Sequence, residues 1–201
     1  MFCQNPLSYV VHTDLKVKHN FNKVFVKKAM ALLNKGGIAE RSQNLLHSGY
    51  QTAGNLFDVE SLLTGEMQQV IRSEIENYRR QFALSNEGFL RRWPEKYNLY
   101  SWIVRMKSGG RLDPHIHDKG WLSGTVYLNV PPKNSPDSGN FIVALGEDDD
   151  AIDSRHNSRE IIDIDTGSMV LFPSSLTHST VPFESEEDRI VLAFDVIPSA
   201  Y

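Results

Sequence analysis

The hydrophobic period of this chain changes near Pro94, and that change constrains the architecture more than any other feature. Upstream, apolar residues recur every three to four positions; downstream, every second one. "FNKVFVKKAMALLNKG" (Phe21 to Gly36) carries Val24, Phe25, Ala29, Leu32 and Leu33 at helical spacing, with Gly36 as a stop. A second helical zone runs from Asp58 to Leu84. Asp58 is placed to cap it, and Glu60 to Glu66 load its first turns with negative charge. Leu62, Met67, Val70, Ile71, Ile75 and Tyr78 form its stripe, and Gly65 offers a break into two helices. After Pro94, "YNLYSWIVRMKSGG" reads as a strand ending in a Gly-Gly turn. "WLSGTVYLNVPP", "GNFIVALG", "REIIDIDTG", "GSMVLFPS" and "DRIVLAFDVIP" follow as further short strands. The expected class is α+β, with a barrel or jelly roll as the β core. The helical stripes are too few for a core of their own, so they should pack on one face of the sheet. Residues 1–93 are then a mainly helical lead-in and 94–201 the β core of one domain, 1–201.

A chain of 201 residues can bury a core without staples. Its net charge of −4 gives no basic face, so no nucleic-acid partner is expected. No apolar run approaches the roughly 20 residues of a membrane span. The start lacks the basic and apolar segments of a signal peptide, so no membrane is expected and the expected setting is cytoplasmic. The acidic "GEDDDAIDSRHNSR" reads as a solvated loop. Cys3, the single cysteine, excludes a disulfide framework and a CxxC zinc site. Any metal would need histidine and carboxylate ligands.

"DPHIHDKGWLSGTVYLNV" supplies the candidates. Residues two apart on a strand share a face, so His115 and His117 would point the same way. A third histidine, His178, opens the segment after "FPSSLT". A His-x-His pair with a distant histidine at a strand start suits iron, zinc, copper or nickel. His12, His19, His47 and His156 read as ordinary surface or core residues. Arg189 heads an otherwise apolar strand. It needs an anion, either Glu186, Glu187 or Asp188 at the strand's solvent end or something brought in from outside. Trp102, Trp121 and the loop "PPKNSPDSGN" read equally as a pocket mouth or as core.

The pattern "PHIHDKGWLSGTVYLNVP" followed by "GSMVLFPSSLTHSTVPFESEEDRIVLAF" resembles the 2-oxoglutarate/Fe(II) oxygenase family related to prolyl 4-hydroxylases. The resemblance spans roughly Tyr97 to Pro198, and the upstream "QTAGNLF" with its helix is similar too. It implies a double-stranded β-helix, Fe(II), and 2-oxoglutarate and O₂ as co-substrates. The reaction implied is hydroxylation of an amino-acid, peptidyl or small-molecule substrate with release of succinate and CO₂. It makes His178 the distal iron ligand and Arg189 the partner of the 2-oxoglutarate C5 carboxylate. Tyr127, on the strand face of Ser123 and Thr125, becomes a second contact to that carboxylate.

One position departs from the family's His-x-Asp/Glu: two residues after His115 stands His117. Strand parity favours His115, His117 and His178 as the ligands. Asp118 or Asp113 would serve after a local bulge, or only two histidines would ligate. Two other classes stay open. A metal cupin would share His-x-His and the later histidine, but the glutamate expected after His-x-His is missing from "DKGWLSG". A non-catalytic ligand-binding barrel would retain the site as a relict.

Overall fold

Alternation along the strands sorts the side chains into two layers, and the helices cover one of them. The computed structural model describes residues 2–36, 38–59, 61–146 and 159–199. The strands are β1 (Val11–Asp14), β2 (Glu40–Arg41), β3 (Leu46–Thr52), β4 (Tyr97–Leu112) and β5 (Leu122–Asn129). They continue as β6 (Phe141–Ala144), β7 (Arg159–Ile162), β8 (Ser168–Pro173), β9 (Thr177–Thr180) and β10 (Arg189–Pro198). The helices are α1 (Leu15–Lys18), α2 (Lys27–Asn34), α3 (Ser61–Gln81) and α4 (Gly88–Arg91).

A seven-stranded sheet has the order β1-β8-β5-β10-β4-β3-β2, and a three-stranded sheet the order β7-β6-β9. The registered pairs are antiparallel, which lets each strand present one face to each layer. Leu99 and Ile103 of β4, Leu122 and Val126 of β5, and Leu192, Phe194 and Val196 of β10 pack toward the helices. There they meet Phe25, Leu32, Met67, Ile71, Ile75 and Tyr78. The opposite faces of β5, β8 and β10 send Tyr127, Val170, Phe172 and Val191 against Phe141 and Val143 of the small sheet. The helices thus pack on the large sheet, as their stripes require.

Several local expectations change. The 21–36 helix opens with a wide π turn at Asn22–Val26 before α2. Asp58 closes a short 3-10 turn, and α3 runs unbroken through Gly65. Leu62 is 87 % exposed and does not belong to the buried stripe. The Gly-Gly pair does not end β4, which runs on to Leu112. Gly109 takes φ +76 there, and the β3 pairing shifts register beside it. Residues 147–158, which include His156 and most of the acidic stretch, lie outside the described residues. Among the described residues no helix is long and apolar enough to cross a membrane.

Candidate active site

The segment carrying His115 and His117 is not a strand. It is an irregular link between β4 and β5, pinned at both histidines. His115 exchanges two backbone hydrogen bonds with His178: its N–H donates to the His178 carbonyl at 3.2 Å and its carbonyl accepts from the His178 N–H at 2.9 Å. The His117 N–H donates to the Ser174 carbonyl at 3.2 Å. These bonds replace the strand parity expected from the sequence and bring the imidazoles together all the same. Ring centroids lie 4.2 Å apart for His115 and His178, 4.7 Å for His117 and His178, and 5.2 Å for His115 and His117.

Their second nitrogens fix the tautomers. His115 Nδ1 donates to the Asp113 carbonyl at 2.9 Å, and His178 Nδ1 donates to the Leu176 carbonyl at 3.3 Å. His117 Nδ1 donates to the Asp195 carboxylate at 2.8 Å. With each proton on Nδ1, the Nε2 lone pairs are bare. Those of His115 and His117 face each other at 3.3 Å. One donor atom from each of the three histidines lies within 4.8 Å of the others. Facing lone pairs repel unless a cation stands among them, so the donor set fits a divalent metal. Burial pushes His178 well below the ordinary imidazole range, and its neighbours His115 and His117 push it the same way. His115 is lowered too, first by burial. A lowered pKa keeps His115 and His178 deprotonated at neutral pH, as metal binding needs.

Asp113 and Asp118 go elsewhere. The Asp113 carboxylate accepts from His47 Nε2 at 2.7 Å and Arg111 Nε at 3.1 Å. These hydrogen bonds hold its carboxyl below the usual range. Asp118 is exposed on the rim and stands outside the histidine group.

The histidines open into a cavity of about 660 Å³, and Arg189, Tyr127 and Thr125 line it as well. Arg189 is 2 % exposed. Its guanidinium lies 5.1 Å from the centroid of the Tyr127 ring, and its Nη1 meets Met106 Sδ at 3.8 Å. No carboxylate pairs with it among the described residues. Asp188, its sequence neighbour, turns to Arg105 at 2.5 Å. Arg189 Nε, Tyr127 Oη and Thr125 Oγ1 are buried without a well-formed hydrogen bond among the described residues, although Tyr127 interacts weakly with both Arg189 and Thr125. Three such atoms around one space, one of them on a cation, leave donors available to an incoming carboxylate. Burial lowers the Arg189 pKa, which is the direction an unmatched cation must take.

Trp102 lines the same cavity, 5.5 Å from the His117 ring, and leans on Tyr100. Trp121 does not. It packs with Phe2 and Phe89 and donates its Nε1 hydrogen to the Phe89 carbonyl at 3.0 Å. The loop from Pro131 to Asn140 is absent from the cavity wall. The residue that sequence reasoning missed is Asp195. It is 7 % exposed, on the inward face of β10, and its partner His117 is 78 positions away.

Residues 100–195 match the model of a family described as "Putative 2OG-Fe(II) oxygenase". A search of curated proteins gave no match. Among solved structures, a Pseudomonas putida prolyl-4-hydroxylase is similar at 13 % identity and TM-score 0.63, covering 95 % of this chain and 93 % of that one. A prolyl hydroxylase from Trichoplax adhaerens, solved with a hypoxia inducible factor peptide fragment, is similar at 14 % identity and TM-score 0.62, covering 97 % and 86 %. HygX from Streptomyces hygroscopicus, solved with nickel and 2-oxoglutarate, is similar at 12 % identity and TM-score 0.59, covering 100 % and 89 %. At these identities the likeness establishes the fold, the double-stranded β-helix of such oxygenases.

Proposed function

We propose that this chain, whose residues 100–195 match the 2-oxoglutarate/Fe(II) oxygenase family, acts as such an oxygenase and that His115, His117 and His178 hold its iron. Arg189 and Tyr127, joined by Thr125, bind the C5 carboxylate of 2-oxoglutarate. The carrying observation is that three convergent, bare imidazole nitrogens share one cavity with an unmatched buried guanidinium. A metal cupin would use the histidines and leave Arg189, Tyr127 and Thr125 without a task. A relict barrel would have no reason to keep a buried cation.

When bound, iron, 2-oxoglutarate and O₂ supply the C–H oxidation, with succinate and CO₂ released. The chain's own residues do the rest. The backbone bonds between His115 and His178 hold two of the imidazoles in place before any ligand arrives. Arg189 presents a planar fork to one carboxylate of the co-substrate, so the other end is aimed at the histidines. Tyr127 Oη and Thr125 Oγ1 donate to the remaining lone pairs. Val191, Phe141 and Phe172 wall the same cavity and keep stray water out.

The substrate is a peptidyl residue or a small molecule, entering past Tyr100, Trp102, Ile116 and Ile197 at the cavity wall. Solved neighbours hold both kinds: a peptide fragment in one and hygromycin B in another. Residues 1–201 act as one oxygenase domain, because the helices share a core with the sheet that carries the site. The test is succinate release from 2-oxoglutarate with Fe(II), ascorbate and O₂. Turnover lost in His178→Ala and Arg189→Ala supports the reading; no succinate from wild type under any condition that loads iron overturns it.

A further inference from the structure

Three neutral imidazoles leave a divalent metal two full charges, where the family's two histidines and one carboxylate would leave it one. The missing carboxylate is nevertheless close by. Asp195 Oδ1 accepts from His117 Nδ1 at 2.8 Å and from the Ser123 hydroxyl at 2.6 Å. Ser123 Oγ is itself 2.8 Å from Ser174 Oγ, and the Ser174 carbonyl accepts from the His117 N–H. The network therefore closes on the backbone and side chain of His117 alike.

Asp195 sits on β10 between Phe194 and Val196, both fully buried. Among the described residues no lysine or arginine pairs with it. A buried carboxylate whose partners are one imidazole and a serine is costly in an empty barrel. It is favourable when that imidazole carries a cation on its far side. The space is also built for it. A Cβ on Gly120 would come within 2.4 Å of Ser174 Oγ and 3.4 Å of the Asp195 carboxyl carbon. Trp102 lies against the His117 ring, so the imidazole has little freedom to swing.

We propose that Asp195 is a positioning residue that holds His117 in its metal-binding tautomer and supplies, from behind that imidazole, the negative charge absent from the three-histidine face. The inference rests on the oxygenase reading above. The carboxylate has moved one hydrogen bond outward, and His117 relays its charge as a stronger donor.

The test uses the full chain. Asp195→Asn keeps an acceptor for His117 Nδ1 and a polar partner for Ser123 but removes the charge. Ni(II) is titrated calorimetrically into the metal-free wild type and variant, Co(II) absorption spectra are recorded, and both metal-free forms are melted. The expected result is an Ni(II) Kd weakened roughly ten- to a hundredfold, with a shifted Co(II) spectrum. A changed melting temperature with unchanged Kd and spectrum means a merely structural role and overturns the inference alone. A wild type that takes no metal overturns the oxygenase reading and this inference with it. If Asp195→Asn does not fold, nitrogen NMR of metal-free wild type at alkaline pH decides. A proton on His117 Nδ1 supports the proposal, and a proton on Nε2 overturns it.

Discussion

His117 and Asp118 are adjacent, and one of them turns its donor atom toward His115 and His178 while the other lies exposed at the cavity rim, outside the histidine group. Substitution separates them. His117→Ala and His178→Ala are expected to lose stoichiometric metal, and Asp118→Ala to retain it, as measured by metal analysis after equilibrium dialysis. Equal loss in Asp118→Ala would return the carboxylate to the ligand set. Arg189 separates co-substrate from metal. Arg189→Ala should leave metal binding nearly intact and weaken 2-oxoglutarate by about a hundredfold, since a buried charge-assisted pair contributes on the order of 3 kcal/mol. Arg189→Lys should restore part of it. Calorimetry under argon with a redox-inert metal measures both constants. These residues were legible because their spacing is local or their chemistry is odd: a histidine pair, and a guanidinium at the head of an apolar strand. Asp195 was not. A carboxylate inside "LAFDVIP" looks like a solvent-facing position, and only the fold brings its partner across 78 residues.

At the scale of elements, the apolar strands could be read from their period, whereas the polar ones could not. β9 is "THST", and β3 is "LHSGYQT"; neither has an apolar alternation to detect. β9 is nonetheless wholly buried: His178 packs against Phe172 of the facing sheet and Phe141 of β6, and the strand's backbone pairs with β6. β4 outran its expected end because Gly109 bends the strand without stopping it. Glycine has a different role in β5. Gly124 lies opposite Phe194 in the ladder, and a Cβ there would fall 2.2 Å from the Phe194 ring. The ring occupies the place a side chain would take, and it anchors β10 against the helices. Gly124→Ala is therefore expected to destabilise the protein by about 1–3 kcal/mol through overpacking, read as a lower urea midpoint. An unchanged midpoint would show that Phe194 can rotate aside at little cost.

For the whole molecule, the site lies where the two sheets meet, so its ionisation is felt as folding stability. His178 and His115 have lowered pKa values when folded, whereas in the unfolded chain they titrate near the ordinary 6.5. Below about 6.5 the unfolded state therefore binds protons that the folded state refuses, and metal-free stability falls as the pH drops. Above that value neither histidine contributes a slope. Urea midpoints measured on metal-free protein from neutral pH down to pH 5 should decline. The decline should become shallower in a His115→Gln, His178→Gln double variant, and an unchanged decline would assign it to other groups. Metal should raise the midpoints near neutral pH and lose its hold toward acid, so that the metal-loaded profile falls more steeply there, since protons and metal compete for the same nitrogens.

Arg189 has a last consequence, concerning supply. A guanidinium buried with no carboxylate partner among the described residues weighs against the folded state until a ligand arrives. Whatever binds only the folded form raises its stability with the logarithm of its concentration, by about 2.7 kcal/mol at a hundredfold excess over Kd. With 2-oxoglutarate seated on Arg189 as proposed, the survival of the protein should depend on a metabolite as well as its turnover. Starved of 2-oxoglutarate, the chain should be cut faster by a protease that attacks opened molecules; replenished, it should persist. Pulse proteolysis with and without 2-oxoglutarate, in wild type and Arg189→Ala, reads this directly, and equal protection of the two would deny it.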